Sequence, residues 1–83
     1  MPKEIQNPEL TQFVRKRISV KMNQGRMVIG VLDRFDKYLN IVLTEAEEIR
    51  KPENPGDDPI IISIDSIFIR GQSIITIEPL DML

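Results

Sequence analysis

Two short segments carry side chains able to do more than pack. Asp36, Tyr38 and Asn40 alternate within Phe35-Asp36-Lys37-Tyr38-Leu39-Asn40, and Arg70, Gly71 and Gln72 follow Ile69 directly. A phenol ring such as that of Tyr38 can stack on a flat heterocycle, worth ~1–3 kcal/mol per base and tolerant of which base it meets. The Asn40 amide offers both a donor and an acceptor, which suits the hydrogen-bonding edge of a base. Arg70 is planar and always charged, so it can cover a base or meet a phosphate. Gly71 lacks the Cβ that would keep a second backbone away, and Gln72 can support the others with a hydrogen bond. Asp36 would repel phosphate; its expected work is to accept backbone N–H bonds that fix the loop holding Tyr38 and Asn40. Each residue alone has an ordinary reading, as a turn aromatic, a turn amide or a charged hairpin corner. Together they describe a grip on a single nucleotide at the ends of strands.

Other chemistry finds less support. The chain has no cysteine and no histidine, which removes disulfides and the usual zinc sites. A hydrolase would rest on carboxylates such as Asp33, Asp36, Glu45, Glu47 and Glu48. Paired carboxylates need a cleft that separates their pKa values, and a small barrel has no room for one. No enzyme activity, cofactor or metal is therefore expected. The acidic stretch before Pro59 lacks the ligand spacing of a calcium loop. A formal net charge of -2 argues against a broad basic field but leaves room for a local site that stacks and hydrogen-bonds. No apolar run approaches the ~18 residues that cross a bilayer, and no signal-peptide core opens the chain, so a soluble intracellular protein without membrane contact is expected. An adaptor with no RNA affinity, its apolar strands serving assembly alone, is the competing non-enzymatic reading.

The elements that must position these residues are short. With 83 residues the chain is read as one domain, 1–83, with a helix over 8–17, strand blocks over 18–46 and 60–79, and an acidic loop over 47–59. Asn7-Pro8-Glu9 has the cap, first-turn proline and acidic residue of a helix start, and Leu10, Phe13 and Val14 then share one face. From Ile18 the period becomes two: Ile18, Val20 and Met22 alternate with polar residues. Asn23-Gln24-Gly25 forms a hairpin turn. A second strand from Arg26 places Met27, Ile29 and Val31 on one face, with Gly30 suited to a sharp bend. A third strand is expected over Asn40 to Ala46, and a mobile connection from Glu45 to Pro59, where three prolines and a glycine accompany the acidic residues. Ile60 to Ile69 and Ser73 to Glu78 complete five strands. With no helix between them, the sheet is expected to be antiparallel and bent into a small, partly open barrel.

The last two strands are unusually apolar for a monomer; a hydrophobic barrel lining with a covered edge is the alternative to burial against a neighbour. Ile60, Ile61, Ile62, Ile64, Ile67 and Ile69 leave few polar positions on either face, so some must meet a second buried surface. Strands four and five are expected to pair with neighbouring subunits, since unpaired apolar edges invite aggregation.

These blocks resemble the Sm and Sm-like family, over nearly everything from Pro8 to Leu80. Ile18 to Leu43 is similar to the family's first block, and Ile67 to Ile77, with Arg70-Gly71, to its second. Pro8-Glu9-Leu10, Ile69-Arg70-Gly71 with Ser73-Ile74-Ile75, and Glu78-Pro79-Leu80 look like the G-type branch. Phe35 to Asn40 with Ala46-Glu47-Glu48-Ile49 is also similar to the E-type branch. The resemblance implies a mainly β fold: an N-terminal helix on a strongly bent five-stranded antiparallel sheet, joined into rings of six or seven by pairing the fourth strand with the fifth of the next subunit. It further implies that Tyr38, Asn40, Arg70, Gly71 and Gln72 bind uridine-rich single-stranded RNA at the ring's inner rim. The implied setting is pre-mRNA splicing, in the nucleus after cytoplasmic assembly. Sm-like rings of RNA decay or small nuclear RNA maturation, or a homomeric ring, are the alternatives. Arg34, where such members usually have glycine, and Gln72, where they often have asparagine, depart from the pattern.

Overall fold

The computed structural model describes residues 8–80. A short helix, α1 (Pro8–Gln12), precedes five strands: β1 (Arg17–Met22), β2 (Arg26–Phe35), β3 (Ile41–Arg50), β4 (Ile60–Ile69) and β5 (Ile74–Pro79). All ladders between them are antiparallel, and the sheet order is β4-β3-β2-β1-β5. The meander therefore ends by folding β5 back onto β1, leaving β4 and β5 as the two edges. The core lies inside the bend, where Ile18, Val20, Val28, Leu32, Ile41 and Leu43 are fully buried.

The alternation of Ile18, Val20 and Met22 is borne out: all three face inward. In β2 the buried parity is the other one. Val28, Gly30 and Leu32 point to the core, while Met27, Ile29 and Val31 are half-exposed on the convex side. Both faces of this strand are apolar, so alternation could not choose between them. The connection at Asn23–Gly25 places Gly25 at φ +73 and, less expectedly, Gln24 at φ +66.

The helix is shorter than its periodicity predicts. Past Gln12 the chain leaves the helix: Val14 bridges Leu32, the Arg15 N–H donates to the Leu32 carbonyl at 2.7 Å, and Leu32 N–H returns to Lys16 O at 3.0 Å. Bonds to the sheet replace bonds within the helix, with Arg15 at φ +70. Leu10 is buried and Phe13 and Val14 pack against the core, as their shared face implies. The proposed cap, Asn7, lies outside the described residues.

The larger correction concerns β3, which continues to Arg50 rather than stopping at Ala46. Glu45 has φ +49, and the register against β2 shifts between Ile29 opposite Glu47 and Val31 opposite Thr44. Glu45 and Ala46 thus share the place opposite Gly30, a β-bulge. One extra residue reverses the parity: Ile41 and Leu43 face inward before it, Ala46 and Glu48 after it. The buried Glu48 carboxylate is held by both Arg26 and Arg50. The hydrogen bonds from Arg26 and then Arg50 keep its pKa below the usual carboxylate value despite burial. The true loop spans residues 51–59, at the opposite end of β3 and β4 from the two chemically equipped turns.

Candidate nucleic-acid interface

The turn between β2 and β3 and the turn between β4 and β5 come together because β3 pairs with both β2 and β4. Ile41 lies opposite Phe35 on one side and Ile69 on the other. Residues 36–40 and 70–73 must therefore emerge side by side at one end of the sheet.

Asp36 organises the first turn as its chemistry suggests. Its Oδ1 accepts the N–H of Tyr38 at 2.8 Å and of Asn40 at 3.0 Å, and its Oδ2 accepts Asn40 Nδ2 at 3.0 Å. Partial desolvation acts to raise the Asp36 pKa. The Asn40 side-chain hydrogen bond, the two backbone N–H groups and the Lys37 charge outweigh it, so the pKa is lowered. Leu39 completes the turn at φ +63.

Asn40 ties this turn to the second one. Its Oδ1 accepts the Gly71 N–H at 2.9 Å, which fixes the orientation of the amide: oxygen to Gly71, nitrogen to Asp36. One N–H and one lone pair of the amide remain unused. Gly71 is required by close approach. A Cβ there would be driven into the Tyr38 carbonyl oxygen and would sit 3.0 Å from Leu39 C and 3.1 Å from Leu39 O.

The side chains of the three remaining predicted residues stand around this clamp and take no part in its hydrogen bonds. Tyr38 is 42% exposed, its backbone pinned while its ring stays open to solvent. Arg70 and Gln72 are exposed and form no side-chain hydrogen bond or ion pair among the described residues. Lys37, not singled out by sequence, holds its Nζ 5.2 Å from the centre of the Tyr38 ring, and only its adjacency to an aromatic signals this. Arg34 sits on the surface, 4.0 Å from Asp33 in an exposed pair. Solvent screens such a pair almost completely. Among the described residues no group of acidic side chains is arranged to hold a metal ion, and no helix is long and apolar enough to cross a membrane.

A short helix on a bent five-stranded antiparallel sheet, with two turns clamped together at one end, defines a small, mainly β module. The chain belongs to the LSM family: the LSM domain model matches residues 8–79. Among its relatives are the small nuclear ribonucleoprotein G of Saccharomyces cerevisiae, 37% identical over 95% of this chain and 99% of that protein, and a probable small nuclear ribonucleoprotein G of Arabidopsis thaliana, 35% identical over 98% and 92%. The LSM complex subunit lsm7 of Schizosaccharomyces pombe is 31% identical over 88% of this chain and 66% of that protein. Among solved structures, a Pyrococcus abyssii Sm protein in complex with a uridine heptamer superimposes with a TM-score of 0.76 at 27% identity, covering 93% of this chain and all of that one. A heptameric archaeal Sm protein gives 0.74 at 26% identity, over 89% and 98%.

Proposed function

We propose that this chain is an RNA-binding subunit of a heteroheptameric ring that assembles on uridine-rich single-stranded small nuclear RNA and acts in pre-mRNA splicing. The observation that carries this reading is the Asp36–Asn40–Gly71 clamp. It presents a rigid amide with a spare donor and acceptor beside an exposed aromatic ring, in a chain that superimposes on a protein solved with a uridine heptamer.

In this reading Tyr38 stacks on one uracil, Asn40 hydrogen-bonds its Watson–Crick edge, and Arg70 covers the base or meets its phosphate. Gly71 and Asp36 hold these groups in place, and Gln72 lies at the rim. The site binds and performs no reaction. In such a ring, closure decides which edges meet. An odd-numbered ring cannot close through self-complementary contacts alone, so each junction joins the two different edges, β4 of one subunit to β5 of the next. The relatives named small nuclear ribonucleoprotein G support a nuclear setting, and assembly on RNA in the cytoplasm is part of the proposal.

A second reading is favoured by the likeness to an LSM complex subunit: a ring acting in RNA decay or small nuclear RNA maturation. The likeness to a heptameric archaeal protein raises a homomeric ring. Native mass of the purified chain, alone and with short oligouridine, separates these. The splicing reading expects a small oligomer of low affinity that enters a mixed ring with Sm partners. A uridine-binding heptamer of the chain alone would replace it with the homomeric reading, and a monomer that ignores such partners would overturn both.

A further inference from the structure

We propose that Lys37 is a further nucleotide-contacting residue: its ammonium covers one face of the Tyr38 ring and meets the phosphate of the nucleotide whose base stacks on the other face. The inference rests on the RNA-binding reading and deepens it.

The backbone that carries Lys37 is held on both sides. The Asp36 N–H donates to the Asn40 carbonyl at 3.0 Å, and the Leu39 N–H donates to the Asp36 carbonyl at 3.1 Å. The Asp36 carboxylate accepts the next N–H along, that of Tyr38. Lys37 thus stands on a fixed turn, between a carboxylate and a ring. Its Nζ lies over the Tyr38 ring, 5.2 Å from the centre, inside the roughly 6 Å reach of a cation–π contact. An aromatic ring has two faces, and the ammonium occupies one. A base stacking on Tyr38 therefore has a single face to use.

Charge gives the ammonium its second task. Each nucleotide brings a phosphate, and this turn already holds the Asp36 carboxylate. Hydrogen bonds keep that carboxylate ionised, and the Lys37 charge adds to their effect. The chain offers no general attraction to offset it, with a formal net charge of -2. Within the two site turns, 36–40 and 70–73, the charged residues are Asp36, Lys37 and Arg70. With Lys37 the site is positive; without it Arg70 only balances Asp36. Lys37 is exposed and makes no side-chain hydrogen bond or ion pair among the described residues. Its three N–H donors are free for phosphate oxygens.

This divides the work within the site. Tyr38 and Asn40 meet the base, whereas Lys37 meets the backbone, which carries no sequence information. Removing its charge should weaken every single strand alike and leave base preference intact.

The test compares wild type with Lys37→Gln, which removes the charge, and Lys37→Arg, which keeps it, in whichever ring the chain forms. Binding of labelled oligouridine and oligocytidine is followed by anisotropy across a salt series. One lost phosphate contact flattens the slope of log affinity against log salt by about 0.7. Between about 0.05 and 0.5 M salt, wild type should then lose about fivefold more affinity than Lys37→Gln at each engaged site. The shift should be equal for both oligonucleotides, and Lys37→Arg should keep the wild-type slope. Tyr38 is the sole tyrosine and the chain has no tryptophan, so the fluorescence of the chain alone reports on this ring. Lys37→Gln should lower quenching by iodide and raise quenching by caesium. An unchanged salt slope would overturn the phosphate contact, and unchanged quenching would overturn the covered face; both leave the RNA-binding reading standing. Wild type that binds neither oligonucleotide at low salt, in any ring, would overturn that reading and this inference with it.

Discussion

Replacing Gly71 by alanine tests the clamp at its tightest point. Gly71 does not have a positive φ, so alanine costs nothing through backbone preference; the whole effect comes from space. The added methyl would collide with the Tyr38 carbonyl oxygen and press on Leu39 C and O. These are backbone atoms, which cannot rotate away as a side chain does. The two turns must separate by on the order of 1 Å, within the regime where overpacking costs about 1–3 kcal/mol. That shift also breaks the 2.9 Å bond from Gly71 N–H to Asn40 Oδ1, worth about 1 kcal/mol. The expected loss is therefore about 2–4 kcal/mol, from a total of roughly 4–12 for a domain of this length. Urea unfolding at fixed protein concentration should show a lower midpoint with unchanged slope, and Tm should fall by roughly 10–25 °C. Oligouridine affinity should fall too, because Asn40 loses its anchor. A midpoint within about 0.5 kcal/mol of wild type would refute the claim that the turns are held in contact here.

Tyr38→Ala should weaken binding of a short oligouridine by about 1–3 kcal/mol per site while Tyr38→Phe retains most of it, measured by fluorescence anisotropy; equal losses would mean that the hydroxyl, not the ring, carries the contact. Asn40→Ala leaves the Gly71 N–H without its acceptor and should destabilise the fold by about 1–3 kcal/mol, with oligouridine affinity lost in parallel; unchanged urea stability would remove Asn40 from the clamp. Glu48→Gln should cost about 1–2 kcal/mol at neutral pH, less than a fully buried pair because both arginine partners are partly exposed. The Glu48 pKa is lowered on folding, so its contribution is present above the ordinary carboxylate pKa and is lost as pH falls through the folded value. Wild type and Glu48→Gln should therefore converge in stability at acid pH, and a gap that widened there would reverse the sign of the argument.

Much of this was legible in the residues. The antiparallel pairing of β1, β2 and β3 could be anticipated because the hairpin signals around Gly25 and Asp36 are local, and the candidate site residues stood out by type at strand ends; the return of β5 to β1 was not announced by any local pattern. Two further features were not legible, for physical reasons. The extension of β3 through Glu45–Arg50 reads as a solvated acidic stretch, because a bulge reverses which residues face inward. Only the paired strands and the Arg26–Glu48–Arg50 contacts reveal that Glu48 belongs inside. The early end of α1 depends on Leu32, which is distant in sequence, capturing the backbone of Arg15 and Lys16. The Asn40-to-Gly71 bond likewise spans 31 residues, and no local pattern announces it.

The order β4-β3-β2-β1-β5 has a kinetic consequence. Four strands can pair progressively with the strand just made, each through a turn or loop. β5 instead must find β1, with Ile18 opposite Pro79, the most distant pairing in the sheet. Closing so long a loop is slow relative to local hairpins. On a ribosome, the outer edge of β1 therefore stays bare until nearly the whole domain has emerged. During that interval the nascent chain offers a template strand beside β2, and capture of that edge by the wrong strand is the failure that its folding must outrun.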